Sequence, residues 1–288
     1  MTRLTVRDIA KMKVDGERIP VLTAYDAPSA KIADLVGVPI ILVGDSVGMV
    51  VQGHETPIPV TLDHMIYHAS MVSRAAKTAL IVGDLPFMTY SVSIEQALLN
   101  AGRMMQEGGV TAVKLEGGEK FAPTIDRIVS AGIPVMAHIG LIPQSVNQLG
   151  GMRVQGRDLE SAQQLIRDAR AVQDAGAFAV VLESMPGQLG KMITDSLSIP
   201  TIGIGAGVGC DGQVQVWHDI LGIFDDFIPR HTKRYAEIGK TMREAISAYV
   251  SEVKSGDFPT EANSFAMKDD VFSALNMNDN GTGEHARS

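Results

Sequence analysis

Two charged residues, Lys114 and Glu116, stand two apart in the run "TAVKLEGG" (111–118), which otherwise reads as a buried β-strand. Side chains alternate faces along a strand, so both charges leave the face opposite to Val113 and Leu115. Charged groups are rarely buried unless they are paired, bind a metal or do chemistry. Similar apolar runs end in Gly44-Asp45-Ser46, in Gly83-Asp84, in His138 and in Glu183. Singly, each has an ordinary explanation. Asp45 or Asp84 could cap the following helix, His138 could be structural, and Glu183 could cap a helix starting near Pro186. Lys114 and Glu116 could form a plain intrastrand ion pair. Five consecutive apolar runs with ionisable residues at the same end argue instead for one convergent site.

The residue types set the chemistry. Asp45, Asp84 and Glu116, with one histidine and no cysteine nearby, make a hard, oxygen-rich site that favours Mg2+ or Mn2+ over zinc. Mg2+ often takes one or two protein carboxylates and fills its octahedron with water and substrate oxygens. A 2-oxo acid, chelating through its keto and carboxylate oxygens, suits such a shell. The cation withdraws electrons from the carbonyl and acidifies the neighbouring C–H. Lys114 is placed to neutralise the substrate carboxylate or a developing enolate, and Glu183 to act as the base.

Other features are weaker. His64 and His68 have the i, i+4 spacing of a zinc pair but lack a third ligand, so a solvated helix face is expected. "GIGAGVG" (203–209) is either an anion-binding turn or an ordinary glycine-rich one.

The elements that position these residues repeat: an apolar run, a turn, an amphipathic helix, a glycine, another apolar run. Strands are expected within 19–26, 39–46, 79–86, 111–118, 133–140, 177–184 and 199–207, with an eighth around 213–219. Val/Ile/Leu runs without strict alternation suit parallel strands covered on both faces. Ser93 followed by Gln96, and Asp158, read as helix starts; Gly37, Gly132 and Gly176 read as stops. Seven or eight such units favour an α/β fold of the (β/α)8 TIM-barrel type over a doubly wound sheet, and barrel active sites lie at the carboxyl ends of the strands. A helix in the first 18 residues is expected to close the barrel bottom, and a last helix to run over 231–254. The domain reading is one barrel over 1–255 and a tail over 256–288, at least partly disordered.

The 288 residues carry a formal net charge of −8, which argues against electrostatic nucleic-acid binding. One cysteine, Cys210, excludes an intramolecular disulfide framework and suits a reducing compartment. With neither an apolar leader nor an apolar run long enough to span a bilayer, the expectation is a cytoplasmic protein with no membrane partner.

With these residues assembled, the sequence resembles the ketopantoate hydroxymethyltransferase family. The segments that carry the likeness include "VGDSVGMVVQGHETPIPVT", "VGDLPFMTY", "AVKLEGG", "AHIGLIPQSVNQLGG", "VLESMP" and "TIGIGAG". The resemblance implies a barrel of the phosphoenolpyruvate/pyruvate superfamily, assembled as a homodecamer of two pentameric rings. It implies transfer of a hydroxymethyl group from 5,10-methylenetetrahydrofolate to 3-methyl-2-oxobutanoate through a Mg2+-stabilised enolate, giving 2-dehydropantoate. Carried over residue by residue, Asp45, Asp84 and Glu116 match the metal site. Asp45, Ser46, Asp84 and Lys114 match the oxo-acid contacts, Glu183 matches the proton acceptor, and His138 is expected to face the substrate. The alternative is a Mg2+-dependent C–C lyase of the same superfamily acting on a 2-oxo or 2-hydroxy diacid. It would need a reactive cysteine in a mobile loop, and Cys210 is poorly placed for that.

Overall fold

Eight short runs become eight parallel strands: β1 (Ile19–Thr23), β2 (Ile40–Val43), β3 (Leu80–Asp84), β4 (Ala112–Glu116), β5 (Val135–Gly140), β6 (Ala179–Glu183), β7 (Thr201–Ile204) and β8 (Gly212–Gln215). They pair in sequence order, and β8 returns to β1 to close the barrel. These elements come from a computed structural model that describes residues 2–149, 151, 153–224 and 228–279. The first seven expected runs bracket their strands. The eighth begins one residue early, at Gly212, and its expected end is instead the short helix Trp217–Ile220.

Strand parity sorts the core into two parts. Alternate residues, including Val21, Leu42, Val82, Ala112, Met136, Val181 and Val214, fill the barrel interior. The residues between them, including Val43, Ile81, Val113, Leu115, Ala137 and Leu182, face the helices. The N-terminal helix Val6–Asp15 closes the interior from below, as expected: Ile9 is fully buried in that cluster, with Leu4, Val6 and Met12 against it. Thr5 and Asp8 cap this helix reciprocally.

The helix Ala27–Leu35 carries a second anchor. The Asp34 carboxylate accepts hydrogen bonds from the backbone N–H groups of Lys77, Thr78 and Ala79 and from Thr78 Oγ1, at 2.7–2.9 Å. Burial alone would raise its pKa, but these donors outweigh that and hold it at about 2. A folded-state value below the unfolded one adds stability above the ordinary carboxylate range, and that stability is lost as the pH falls toward 2. Asp34→Ala is therefore expected to lower unfolding stability by about 1–2 kcal/mol at neutral pH, discounted for partial exposure. Urea midpoints of the variant and wild type should converge near pH 2.

The residues up to Glu237 form one compact unit and those from Ile238 a second. This places the boundary before the last long helix, Ile238–Ser255, whereas the sequence reading carried the barrel domain through 255. That helix also starts seven residues later than expected. The segment before it is held in turns, Thr232 N–H donating to Pro229 O and Tyr235 N–H to Ile220 O. The tail is more patterned than its composition implies, with a 3-10 turn at Glu261–Asn263 and a helix at Asp269–Asp279. The expected disorder of residues 280–288 lies outside the described residues. Among the described residues, no helix is long and apolar enough to cross a membrane.

Candidate active site

Inward parity continues up each strand, so Ala112, Lys114 and Glu116 share the barrel interior, as do Val82 with Asp84, Met136 with His138 and Val181 with Glu183. Parallel register then sets Asp84 beside Lys114 and Glu116 beside His138. The side chains follow this register. Lys114 Nζ donates to Asp84 Oδ1 at 2.8 Å, and His138 Nδ1 lies 3.4 Å from Glu116 Oε1. The intrastrand Lys114–Glu116 pair considered from sequence is not the pairing adopted. Residues two apart on one strand are about 7 Å apart, whereas neighbouring strands lie about 4.8 Å apart.

Asp45 lies beyond the end of β2. Its backbone N–H donates to Asp84 Oδ2 at 3.1 Å, and Ser46 Oγ is hydrogen-bonded to Tyr25 OH at 2.8 Å. Glu183 closes β6, its Oε2 3.2 Å from His138 Nε2. Both His138 nitrogens lie within ion-pair reach of a carboxylate but off the line of a good hydrogen bond. Next to Glu183, Gly140 takes φ +100, and a Cβ there would fall 2.2 Å from Glu183 O. Only glycine lets β5 pass this close. Ser184 then turns the chain in the left-handed region at φ 48, a strained conformation for a non-glycine residue.

All seven residues expected from sequence (Asp45, Ser46, Asp84, Lys114, Glu116, His138 and Glu183) line one cavity of about 380 Å³. Asp84, Glu116 and His138 are each only 2% exposed, so their charges interact at short range with little solvent between them. Burial, with the charges of Asp84 and Glu116, pushes the Asp45 carboxyl well above its ordinary value against the pull of Lys114 and Gln144. Burial opposes the Lys114 ammonium, but Asp84, Glu116 and Asp45 outweigh it and raise its pKa. Burial likewise opposes the His138 imidazolium, yet Glu116 and Glu183 raise its pKa to about 9. Glu116 is pulled low despite its burial by His138, Lys114 and the Gln144 N–H.

Within the cluster at the ends of β2–β6, four carboxyl groups (Asp45, Asp84, Glu116 and Glu183) face two cationic side chains (Lys114 and His138), an imbalance that a divalent cation would offset; Arg153 and Arg230, which also line the cavity, are exposed. The donors are hard oxygens, and Asp45 Oδ1 accepts no hydrogen bond among the described residues, while Oδ2 is held by Gln144. No three Asp, Glu, His or Cys side chains among the described residues converge into a ready-made metal cage. That suits Mg2+, which uses few protein carboxylates and keeps water or substrate oxygens. The residues fit the cation.

Several residues escaped the sequence reading. Asp219 and His231 also line the cavity, and Gln144 donates to Asp45 and Glu116 without lining it itself. Burial raises Asp219 to about 6 against Arg234, and it lowers His231 against Glu183. Gln144 stands in the segment "AHIGLIPQSVNQLGG", where a polar residue after a proline reads as loop. His68 is not on a solvated face: its Nδ1 lies 2.6 Å from Tyr25 O, and His64 instead caps its own helix through Thr61. Glycines of "GIGAGVG" line a second cavity of about 790 Å³ with Arg18 and Cys210. Burial pushes the Cys210 thiol up, which disfavours a nucleophilic thiolate.

Known proteins with similar folds include phosphonopyruvate hydrolase, at TM-score 0.59 and 12% identity over 97% of each chain. Another is 2,3-dimethylmalate lyase of the PEP mutase/isocitrate lyase superfamily, at TM-score 0.56 and 15% identity over 96% of this chain and 95% of that one. At these identities the likeness concerns the barrel alone. Sequence relatives are far nearer. The 3-methyl-2-oxobutanoate hydroxymethyltransferase of Chloroflexus aggregans is 59% identical over 265 residues, 92% of this chain and 94% of that protein. The enzyme of the same name from Gluconacetobacter diazotrophicus is 57% identical over 275 residues, 95% of this chain and 99% of that protein. A profile described as ketopantoate hydroxymethyltransferase matches residues 3–261. With barrel, cavity and sequence in agreement, the chain belongs to the ketopantoate hydroxymethyltransferase family.

Proposed function

We propose that this protein transfers a hydroxymethyl group from 5,10-methylenetetrahydrofolate to 3-methyl-2-oxobutanoate, giving 2-dehydropantoate on the route to pantothenate and coenzyme A. The observation that carries the reading is the buried cluster at the carboxyl ends of β2–β6, with more carboxylate than its own cations balance. Asp45 and Asp84 would hold Mg2+, with Glu116 behind them, its two oxygens engaged by His138 and Gln144 N–H. When bound, Mg2+ polarises the 2-oxo group and makes the C3 proton more acidic.

The chain's own residues do the rest. Lys114 and Ser46 meet the oxo acid and its developing negative charge, and His138 faces the substrate while steadying one Glu183 oxygen. Glu183 Oε1 accepts no hydrogen bond among the described residues, and Glu183 takes the C3 proton as general base. The resulting enolate carbon attacks the one-carbon unit, and water completes the hydroxymethyl group as tetrahydrofolate leaves. The setting is the cytoplasm and the assembly a decamer of two pentameric rings.

The test is direct. With Mg2+, 3-methyl-2-oxobutanoate and 5,10-methylenetetrahydrofolate, mass spectrometry should detect 2-dehydropantoate, and omitting the folate should abolish it. Cleavage of a 2-oxo or 2-hydroxy diacid in its place would overturn the reading.

A further inference from the structure

Gln144 reaches two of the three clustered carboxylates from a 3-10 turn, Pro143–Ser145, that crosses the barrel mouth after β5. Its backbone N–H donates to Glu116 Oε2 at 3.1 Å. Its side-chain Nε2 donates to Asp45 Oδ2 at 2.8 Å and to Leu85 O at 3.1 Å, while its Oε1 accepts from Tyr90 OH at 2.8 Å. The residue is 4% exposed, and every polar atom of its amide is engaged. Partner chemistry fixes the amide's orientation: a carboxylate and a carbonyl only accept, so the NH2 must face them, and the oxygen must face the hydroxyl.

Tyr90 is itself held. Its ring meets Phe121 edge-on, with centroids 5.3 Å apart, and Phe121 lies against Gly117. A Cβ on Gly117 would come within 2.3 Å of Phe121, so the residue after Glu116 must be small for the stack to form. The chain of contacts runs from the backbone beyond Glu116 through Phe121 and Tyr90 to Gln144, and back to Asp45 and Glu116.

Asp45 needs such support. It stands two residues past β2, where strand geometry no longer aims its side chain, and Asp84 and Glu116 repel its charge. We propose that Gln144 is a positioning residue that holds one oxygen of Asp45 and one of Glu116 to the protein, leaving Asp45 Oδ1 for the cation, and that Tyr90 fixes the Gln144 amide. This rests on the reading of the cluster as a Mg2+ site.

Calorimetric titration with MgCl2, without folate or oxo acid, tests it. Gln144→Leu should weaken Mg2+ binding about 10–100-fold, the usual size of losing a group that orients a metal ligand, and Tyr90→Phe by a smaller factor of about tenfold. In C3-deuterium exchange, Tyr90→Phe should regain the wild-type maximal rate at a higher Mg2+ concentration. A structural role alone would lower the melting temperature and leave Mg2+ affinity within about twofold of wild type, and that result in both variants overturns the proposal. If Gln144→Leu does not fold, Tyr90→Phe decides, because it removes one hydroxyl and keeps the ring. If the wild type itself binds no Mg2+, the Mg2+ reading has failed and the proposal falls with it. Equal binding by wild type and variants removes only the role of Gln144.

Discussion

Glu183→Gln is expected to fold as wild type does and to exchange the C3 deuterium of 3-methyl-2-oxobutanoate about 10²–10⁴-fold more slowly, the range lost with a positioned general base. The substitution keeps the side chain's size and its place at the end of β6, where register sets Glu183 between Gly140 and Ile204. Glutamine cannot take the proton, yet its carbonyl can still accept from His138 Nε2, so the contact now spanning 3.2 Å survives. Mg2+ affinity should change little, because Glu183 stands across His138 from Glu116 and away from Asp45 and Asp84. Exchange is the informative readout because it needs neither folate nor the later carbon–carbon bond. An exchange rate equal to wild type in the folded variant would remove Glu183 as the base and turn attention to His231, which lines the same cavity.

Residues within strands were legible because two periodicities multiply. Period-two alternation places Lys114 and Glu116 on the inner face with Ala112, and parallel pairing carries that face to Asp84, His138 and Glu183. Partner choice was less legible. Sequence spacing suggested Lys114 with Glu116, but register distance favours Lys114 with Asp84 and Glu116 with His138. Residues beyond strand ends obey neither period. Asp45 was found through its type and its family segment, and Gln144 was missed because its place depends on a loop folding back over the barrel mouth. His68 was misjudged for a related reason: its i, i+4 spacing with His64 says nothing of the Tyr25 carbonyl arriving from β1's end.

Lys114→Met carries the largest expected effect on stability, together with a counterintuitive one on metal. The ammonium is buried and 2.8 Å from Asp84, and its removal leaves Asp84 without its cation and Asp45 without the charge that offsets Asp84 and Glu116. Breaking a buried pair from one side typically removes about 3–5 kcal/mol, far more than the pair itself contributes, because the remaining charge stays desolvated. Adding Asp84→Asn should restore much of that loss in urea unfolding, since neither charge then remains alone. Mg2+ affinity of the single variant should hold or rise, because a cation has left the site and Asp84 Oδ1 is freed. Exchange should nevertheless fall about 10²–10³-fold even with saturating Mg2+ and oxo acid, because the group that meets the developing enolate is gone. Saturating Mg2+ should also recover part of the lost stability by binding only the folded chain. Recovery of the wild-type exchange rate under those conditions would reduce Lys114 to a counter-ion for Asp84. A rate that stays low while the metal binds would separate its action on the substrate from its pairing with the carboxylate.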